Sequence, residues 1–201
     1  MSAPDINLQR FCARASDLRS YLRAPFSRDG YVYGANGHIA VRVPRGDGEA
    51  PAELAADKIP HLASLFAGAA ARTDWRDFPA IPAPERCRRC SGAGVLRGHR
   101  CEACEGKGEF EHFDEEYECK SCEGNGLFEN EAGVFTIECP AAFCKGGAIS
   151  DGHAIGENRA DIVYLHQIAA LPGARVSPGS FGDTIYFTFT GGEGVLMPRR
   201  T

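Results

Sequence analysis

Eight of the nine cysteines fall between Cys87 and Cys144, in four close pairs, and this spacing constrains the middle of the chain more than any other feature. The pairs are Cys87 with Cys90, Cys101 with Cys104, Cys119 with Cys122, and Cys139 with Cys144. Three of them continue as Cys-x-x-Cys-x-Gly-x-Gly, with Gly92 and Gly94, Gly106 and Gly108, and Gly124 and Gly126 after the second thiol. Two thiolates one tight turn apart form half of a tetrahedral zinc site, and two such halves close it. Glycine suits the position after the second ligand because the chain turns there with positive φ and brings backbone amides close to sulfur. Eight thiols therefore fit two structural Zn2+ ions, each held by four cysteines. Disulfides are the competing use of the same residues. The chain opens MSAPDINLQRFC, without the apolar stretch of a secretory signal, so a reducing cytoplasmic setting is expected and metal is favoured over disulfide.

On these repeats, residues 87–147 resemble the cysteine-rich zinc-binding domain of DnaJ-type chaperones. In that family the first and fourth repeats share one ion, and the second and third share the other. The resemblance thus implies one zinc on Cys87, Cys90, Cys139 and Cys144, and a second on Cys101, Cys104, Cys119 and Cys122. It also implies protein clients with unfolded or exposed apolar segments. The chain departs from the pattern in the fourth repeat, CPAAFCKGG, where four residues separate the thiols and the two glycines are adjacent. No His-Pro-Asp signature of a J domain occurs, so a role in driving a chaperone ATPase is not expected.

Charge bears on the choice of partner. Residues 85–148 hold 8 Lys and Arg against 13 Asp and Glu, while the rest of the chain holds 14 of each. Four thiolates around one divalent ion leave two further negative charges per site. An acidic module is poorly suited to gripping nucleic acid, because that binding rests on neutralising phosphates with Lys and Arg. Arg86, Arg88 and Arg89, beside the first pair, read as offsets to nearby thiolate charge.

The flanking segments carry helix and strand signals. Asp5 can cap a helix whose apolar positions Leu8, Phe11, Ala15, Leu18 and Leu22 step by three and four, with Pro25 as its stop. Cys12, outside the pairs, reads as a small core residue. YVYGANGHIAVRV predicts a hairpin turning at Asn36 and Gly37. Leu54, Leu62, Leu65, Phe66 and Ala69 predict helix interrupted at Pro60, and TDWRDFPAIPAPE predicts an extended linker docked by Trp75 and Phe78. After the cysteines, Asn158 can cap a helix with Ile162, Leu165, Ile168 and Ala169 on one side, ended by Pro172 and Gly173. Alternation in DTIYFTFT, then GGEG and VLM, predicts a second hairpin. Helix and hairpin on each side of the cysteines lead to an α+β fold class: a discontinuous helix-plus-hairpin body of residues 1–84 and 149–201, with a hairpin-rich two-zinc module of residues 85–148 inserted into it.

GANGHIAV is similar to a strand and turn of bacterial sliding-clamp domains, and GVLMPRR to that family's final strand, with Asn36 in place of the usual aspartate. This second resemblance implies a body related to DNA-replication proteins. It predicts a positive face from Arg10, Arg14, Arg19, Arg23 and Arg28, the nucleic acid meeting the flanking body only.

Three functions compete at this point. The first is a non-enzymatic zinc-binding protein that recognises a protein partner through the module. The apolar groups Phe110, Phe113, Tyr117, Leu127, Phe128, Val134, Phe135 and Ile137 either close ribbon hairpins or remain exposed as its contact surface. The second is a DNA-replication or DNA-metabolism accessory with a clamp-like body. The third is a thiol-disulfide oxidoreductase, for which metal-filled thiolates are poorly suited. The six histidines, at 38, 61, 99, 112, 153 and 166, have no ligand spacing, and no nucleophile triad or phosphate loop is present, so no catalytic residue is assigned. The chain has no apolar run of membrane-spanning length.

Overall fold

The computed structural model describes residues 6–200 apart from 16, 47, 49, 56, 60, 113, 114 and 131. The chain divides into two compact units, one of Met1–Ala83 with Gly152–Thr201 and one of Pro84–Asp151.

In chain order the first unit begins with strands β1 (Phe26–Arg28), β2 (Tyr31–Ala35) and β3 (Ile39–Pro44), helix α1 (Leu62–Ala67) and strand β4 (Arg76–Asp77). The second unit holds β5 (Val95–Arg100), β6 (Glu109–His112), β7 (Glu115–Glu118), β8 (Leu127–Glu129), β9 (Phe135–Glu138), β10 (Cys144–Lys145) and β11 (Ala148–Ile149). The first unit resumes with β12 (Gly152–Ile155), β13 (Asn158–Asp161), α2 (Ile162–Ala169), β14 (Arg175–Ser177), β15 (Ile185–Phe189) and β16 (Gly192–Leu196).

The expected α+β body is overturned. The first unit is built on a seven-stranded antiparallel sheet in the order β1-β2-β3-β16-β15-β14-β4, and its α-helices among the described residues are α1 and α2, of six and eight residues. The predicted first helix is two short 3-10 turns, Leu8–Phe11 and Ser20–Leu22, because its apolar residues serve opposite faces of the sheet. Leu8 and Phe11 join one core and Leu22 the other, while Leu18 is 96% exposed. The proposed cap Asp5 lies outside the described residues, as does Pro60. The second predicted helix shortens to α1 and a 3-10 turn over Gly68–Ala71. In the third, Asn158 belongs to strand β13, and the cap is Asp161, whose carboxylate accepts the Val163 N–H at 3.0 Å. Part of the expected extended linker, Arg76–Asp77, is an edge strand paired with β14.

Alternation along the central strands explains why both faces of the sheet are covered. Ile39, Val41, Ile185, Phe187 and Phe189 face one core with α2 residues Leu165 and Ile168. Ala40, Tyr186 and Val195 face the other, with Leu62 and Phe66 of α1 and Tyr33. Small residues allow close approach. A Cβ on Gly34 would lie 2.4 Å from the Leu8 carbonyl oxygen, so glycine there lets the first 3-10 turn sit against the strand. Asn36 closes the β2–β3 turn, its side-chain oxygen accepting the N–H groups of His38 and Ile39. Arg42 lies 4.2 Å from the Tyr31 ring centre and 4.1 Å from that of Phe66, and is paired with Glu193 at 2.6 Å.

In the second unit β5 lies between β8 and β9, β6 pairs with β7, and β10 with β11. Leu96 and Leu127 are its buried aliphatic side chains among the described residues, so the cysteines supply most of its interior. No helix among the described residues of the chain is long and apolar enough to cross a membrane.

Candidate metal centres

The thiols form two buried groups, Cys87, Cys90, Cys139 and Cys144 in one and Cys101, Cys104, Cys119 and Cys122 in the other, with the sulfurs of each group within 4.8 Å of one another. Sulfurs about 2.3 Å from a tetrahedral zinc stand about 3.8 Å apart. The sulfur–sulfur separations are 3.9 Å for Cys87 to Cys139, 3.8 Å for Cys90 to Cys144, 3.9 Å for Cys101 to Cys119 and 3.7 Å for Cys104 to Cys122. Disulfide bonding requires about 2.05 Å. Both groups therefore fit four-coordinate zinc, with every ligand position filled by sulfur.

The local geometry repeats from pair to pair. Each Cys-x-x-Cys turn ends with a residue in the left-handed region, Ser91, Glu105 or Glu123, followed by a glycine that is also left-handed. That path returns the first glycine N–H to the carbonyl of the first cysteine, as in Gly92 to Cys87 at 3.1 Å, Gly106 to Cys101 at 3.0 Å and Gly124 to Cys119 at 3.1 Å. It also aims the next glycine N–H at the second sulfur, with Gly94 donating to Cys90 at 3.3 Å, Gly108 to Cys104 at 3.2 Å and Gly126 to Cys122 at 3.2 Å. Such donors stabilise thiolate. In the irregular fourth repeat the N–H of Gly147 does the same for Cys144.

The two halves of each centre are locked reciprocally. In one, Cys87 N–H donates to the Gly147 carbonyl at 2.7 Å and Cys139 N–H to the Gly94 carbonyl at 2.9 Å. In the other, Cys101 donates to Gly126 at 3.0 Å and Cys119 to Gly108 at 2.8 Å. Each centre thus has approximate twofold symmetry, and the wider spacing of Cys139 and Cys144 is absorbed before Gly147 reaches its partner. These glycine carbonyls were not assigned a role from sequence, although the repeated second glycine marks their positions.

Bare thiols in these groups are in electrostatic conflict. Burial, then the neighbouring thiols, pushes Cys122 and Cys144 up to about 12. Cys87 is drawn down to about 7, first by the Cys90 N–H. Burial raises Cys104, yet the Gly108 N–H and the three neighbouring thiols together bring it down to about 7. Four buried thiolates need a cation to coexist, and a divalent ion removes the conflict.

No histidine joins either group among the described residues. Cys12 stands apart, half-buried, its thiol donating to the Leu8 carbonyl at 3.5 Å and pushed up to about 11 by burial. Of the cations beside the first pair, Arg89 is paired with Glu129. In the first unit Arg10, Arg14, Arg19 and Arg23 are exposed, but Arg19 is paired with Asp17 at 2.8 Å and Arg23 donates to the Asp17 carbonyl. Arg28 is turned inward to the Ile59 carbonyl. Of the expected apolar surface, Leu127 is buried and Phe135 and Ile137 pack against the Cys87 group. Phe110, Tyr117, Phe128 and Val134 are exposed, as is Phe143, while Phe113 lies outside the described residues.

Comparison of the chain with protein-family models, curated proteins and solved structures found no match.

Proposed function

We propose that the chain is a non-enzymatic zinc protein in which two structural ions hold residues Pro84–Asp151 in shape for recognition of a protein partner, in the manner of a DnaJ-type zinc domain. The observation that carries this reading is the pairing of two closed all-sulfur centres with large apolar groups left at the surface of the same unit. Phe128 is 50% exposed, Val134 96% and Phe143 61%. A metal-stapled unit that buries two aliphatic side chains among its described residues has no interior use for these groups, and exposed apolar groups of this size suit partner contact. Saturated sulfur coordination leaves no open position for metal-assisted chemistry and no free thiolate for exchange.

The zinc-loaded chain is expected to bind reduced, carboxymethylated α-lactalbumin, an unfolded and acidic probe. Combined replacement of Phe128, Val134 and Phe143 by serine is expected to weaken binding about tenfold or more while two zinc equivalents are retained. Absence of binding, or equal binding by the variant, overturns the proposal.

A DNA-metabolism accessory with a clamp-like body is the second reading, favoured by one observation. The two stretches that carry the clamp resemblance are neighbours in the sheet, with Ile39 opposite Leu196 and the Met197 N–H donating to the His38 carbonyl at 2.8 Å. Gly37, His38, Ile39, Val195 and Met197 line one cavity of about 230 Å3. This reading predicts duplex DNA binding that weakens steeply with added salt and is reduced by Arg10→Gln with Arg14→Gln. Lack of DNA binding at low ionic strength eliminates it.

A further inference from the structure

The β6–β7 ribbon is a two-stranded sheet with neither face covered, every described residue of both strands being exposed. Its register gives it two unlike faces, because residues directly opposite in an antiparallel pair share a face. Phe110 stands opposite Tyr117, so one face carries an aromatic pair, 42% and 49% exposed. Glu109 stands opposite Glu118 and Glu111 opposite Glu116, so the other face carries four glutamates in two directly opposed like-charge pairs. Like charges at this spacing oppose strand pairing. Among the described residues no Lys, Arg or His lies within 4.0 Å of these four carboxylates as a salt-bridge partner. At the foot of the ribbon, beside Cys104, is a groove of about 490 Å3 lined by Glu105, Glu109, Phe110, Glu111 and Glu116, with Lys107 as its cation.

We propose that this ribbon and its groove dock an extended basic segment of a partner protein, in which arginines alternate with apolar residues. The occupant follows from charge complementarity. Glutamates opposed across the ribbon gain counter-charges that no salt bridge among the described residues gives them, and the aromatic pair takes up the alternate side chains or the flat guanidinium of arginine. A partner strand also has the period of two that matches faces differing in this way. The surrounding unit, acidic and made more so by two all-sulfur metal centres, repels nucleic acid and steers a basic chain towards the ribbon.

This inference rests on the reading of the zinc unit as a recognition module and names its partner class. Its test uses the full-length zinc-loaded chain and a short synthetic peptide alternating arginine with leucine, followed by calorimetry and by amide chemical shifts. Binding is expected at low salt, with shifts centred on residues 109–118 and affinity falling as salt rises. Phe110→Ala with Tyr117→Ala is expected to weaken it about tenfold. Glu109→Gln with Glu111→Gln and Glu116→Gln is expected to do the same and to flatten the salt dependence. The glutamine changes relieve repulsion within the ribbon, so a loss of affinity cannot be a loss of fold, and the zinc content checks the remainder. Equal weakening by the control set Glu85→Gln, Glu102→Gln and Glu123→Gln reduces the effect to bulk charge and overturns the proposal. Equal binding of a peptide with glutamate in place of arginine, or no binding at all, overturns it as well. The acidic unfolded probe described above separates the two readings: if it binds and the arginine peptide does not, the ribbon proposal fails and the wider reading stands.

Discussion

Purified chain is expected to carry two equivalents of zinc, and stripping them is expected to unfold residues 84–151 while the seven-stranded sheet keeps its structure. The reason is the interior of each unit. Around Cys101, Cys104, Cys119 and Cys122 the buried cluster consists, among the described residues, of the four cysteines. The other centre adds Leu96 and Leu127, with Phe135, Ile137, Ala141 and Ile149 partly buried against it. Two buried leucines contribute only about 1.5–3 kcal/mol each. Structural zinc binding is worth about 10–16 kcal/mol per site near neutral pH, and here that free energy is folding free energy. The sheet has its own apolar layers on both faces, and none of their members is a metal ligand. Hydrogen exchange reads the outcome directly. Chelator should remove protection from the amides of Cys101, Cys119 and Gly126 while those of Val41 and Phe187 stay protected. Acid acts in the same direction as chelator. Bound metal holds the thiolates deprotonated far below the ordinary thiol range, so its stabilisation is complete at neutral pH and is lost as falling pH protonates sulfur. Oxidised thiols without metal, or a unit that keeps its protection in chelator, would remove the basis of the proposal.

The second large effect concerns one methyl group. Gly147→Ala is expected to abolish metal binding at the centre of Cys87, Cys90, Cys139 and Cys144, whereas Gly146→Ala is expected to retain it. Both glycines are left-handed, with φ +94° at Gly147 and +57° at Gly146, so each change incurs about 1–2 kcal/mol of backbone strain. Space separates the two. A Cβ at Gly147 would fall 2.0 Å from the Gly92 carbonyl oxygen, whereas one at Gly146 meets nothing within 4 Å. The obstacle is backbone, and it cannot retreat without disturbing the Cys87 to Gly147 hydrogen bond that joins the two halves of the centre. Overpacking of this kind costs a further 1–3 kcal/mol, roughly, and more where nothing can relax. Gly108→Ala, with its Cβ 2.2 Å from the Gly124 carbonyl oxygen, is the matching change at the other centre. Zinc content is the readout: one equivalent for Gly147→Ala or Gly108→Ala, two for Gly146→Ala.

The cysteine half-sites were legible in sequence because their information is local. Within one Cys-x-x-Cys-x-Gly-x-Gly turn the thiol spacing and the positive-φ glycines prescribe a half-site, and sulfur chemistry supplies the requirement for a second half. The hairpin at Asn36 and Gly37 was legible for a similar reason, since the Asn36 side chain caps its own turn. The helices were misread where an i, i+3, i+4 pattern arose from something other than a helix face. Leu8, Phe11 and Leu22 keep that spacing, but the chain divides them between opposite sides of a sheet. Asn158 has cap chemistry, yet its side chain holds the 178–182 turn, donating to the Pro178 and Ser180 carbonyls and accepting the Gly182 N–H.

Two sulfur-rich half-site pairs, the hairpin turn at Asn36 and Gly37 and the acidity of the middle segment are properties of short stretches of sequence. Each depends on residues a few positions apart and on their own chemistry. Folding in three dimensions is what sets β3 beside β16, leaves one of two adjacent glycines no room for a side chain, and turns the glutamates Glu109, Glu111, Glu116 and Glu118 towards one another across a ribbon. Those are relations between residues brought together by strand register and chain closure. Register depends on which apolar faces can be buried together, a balance struck over the whole sheet rather than within any one stretch of it.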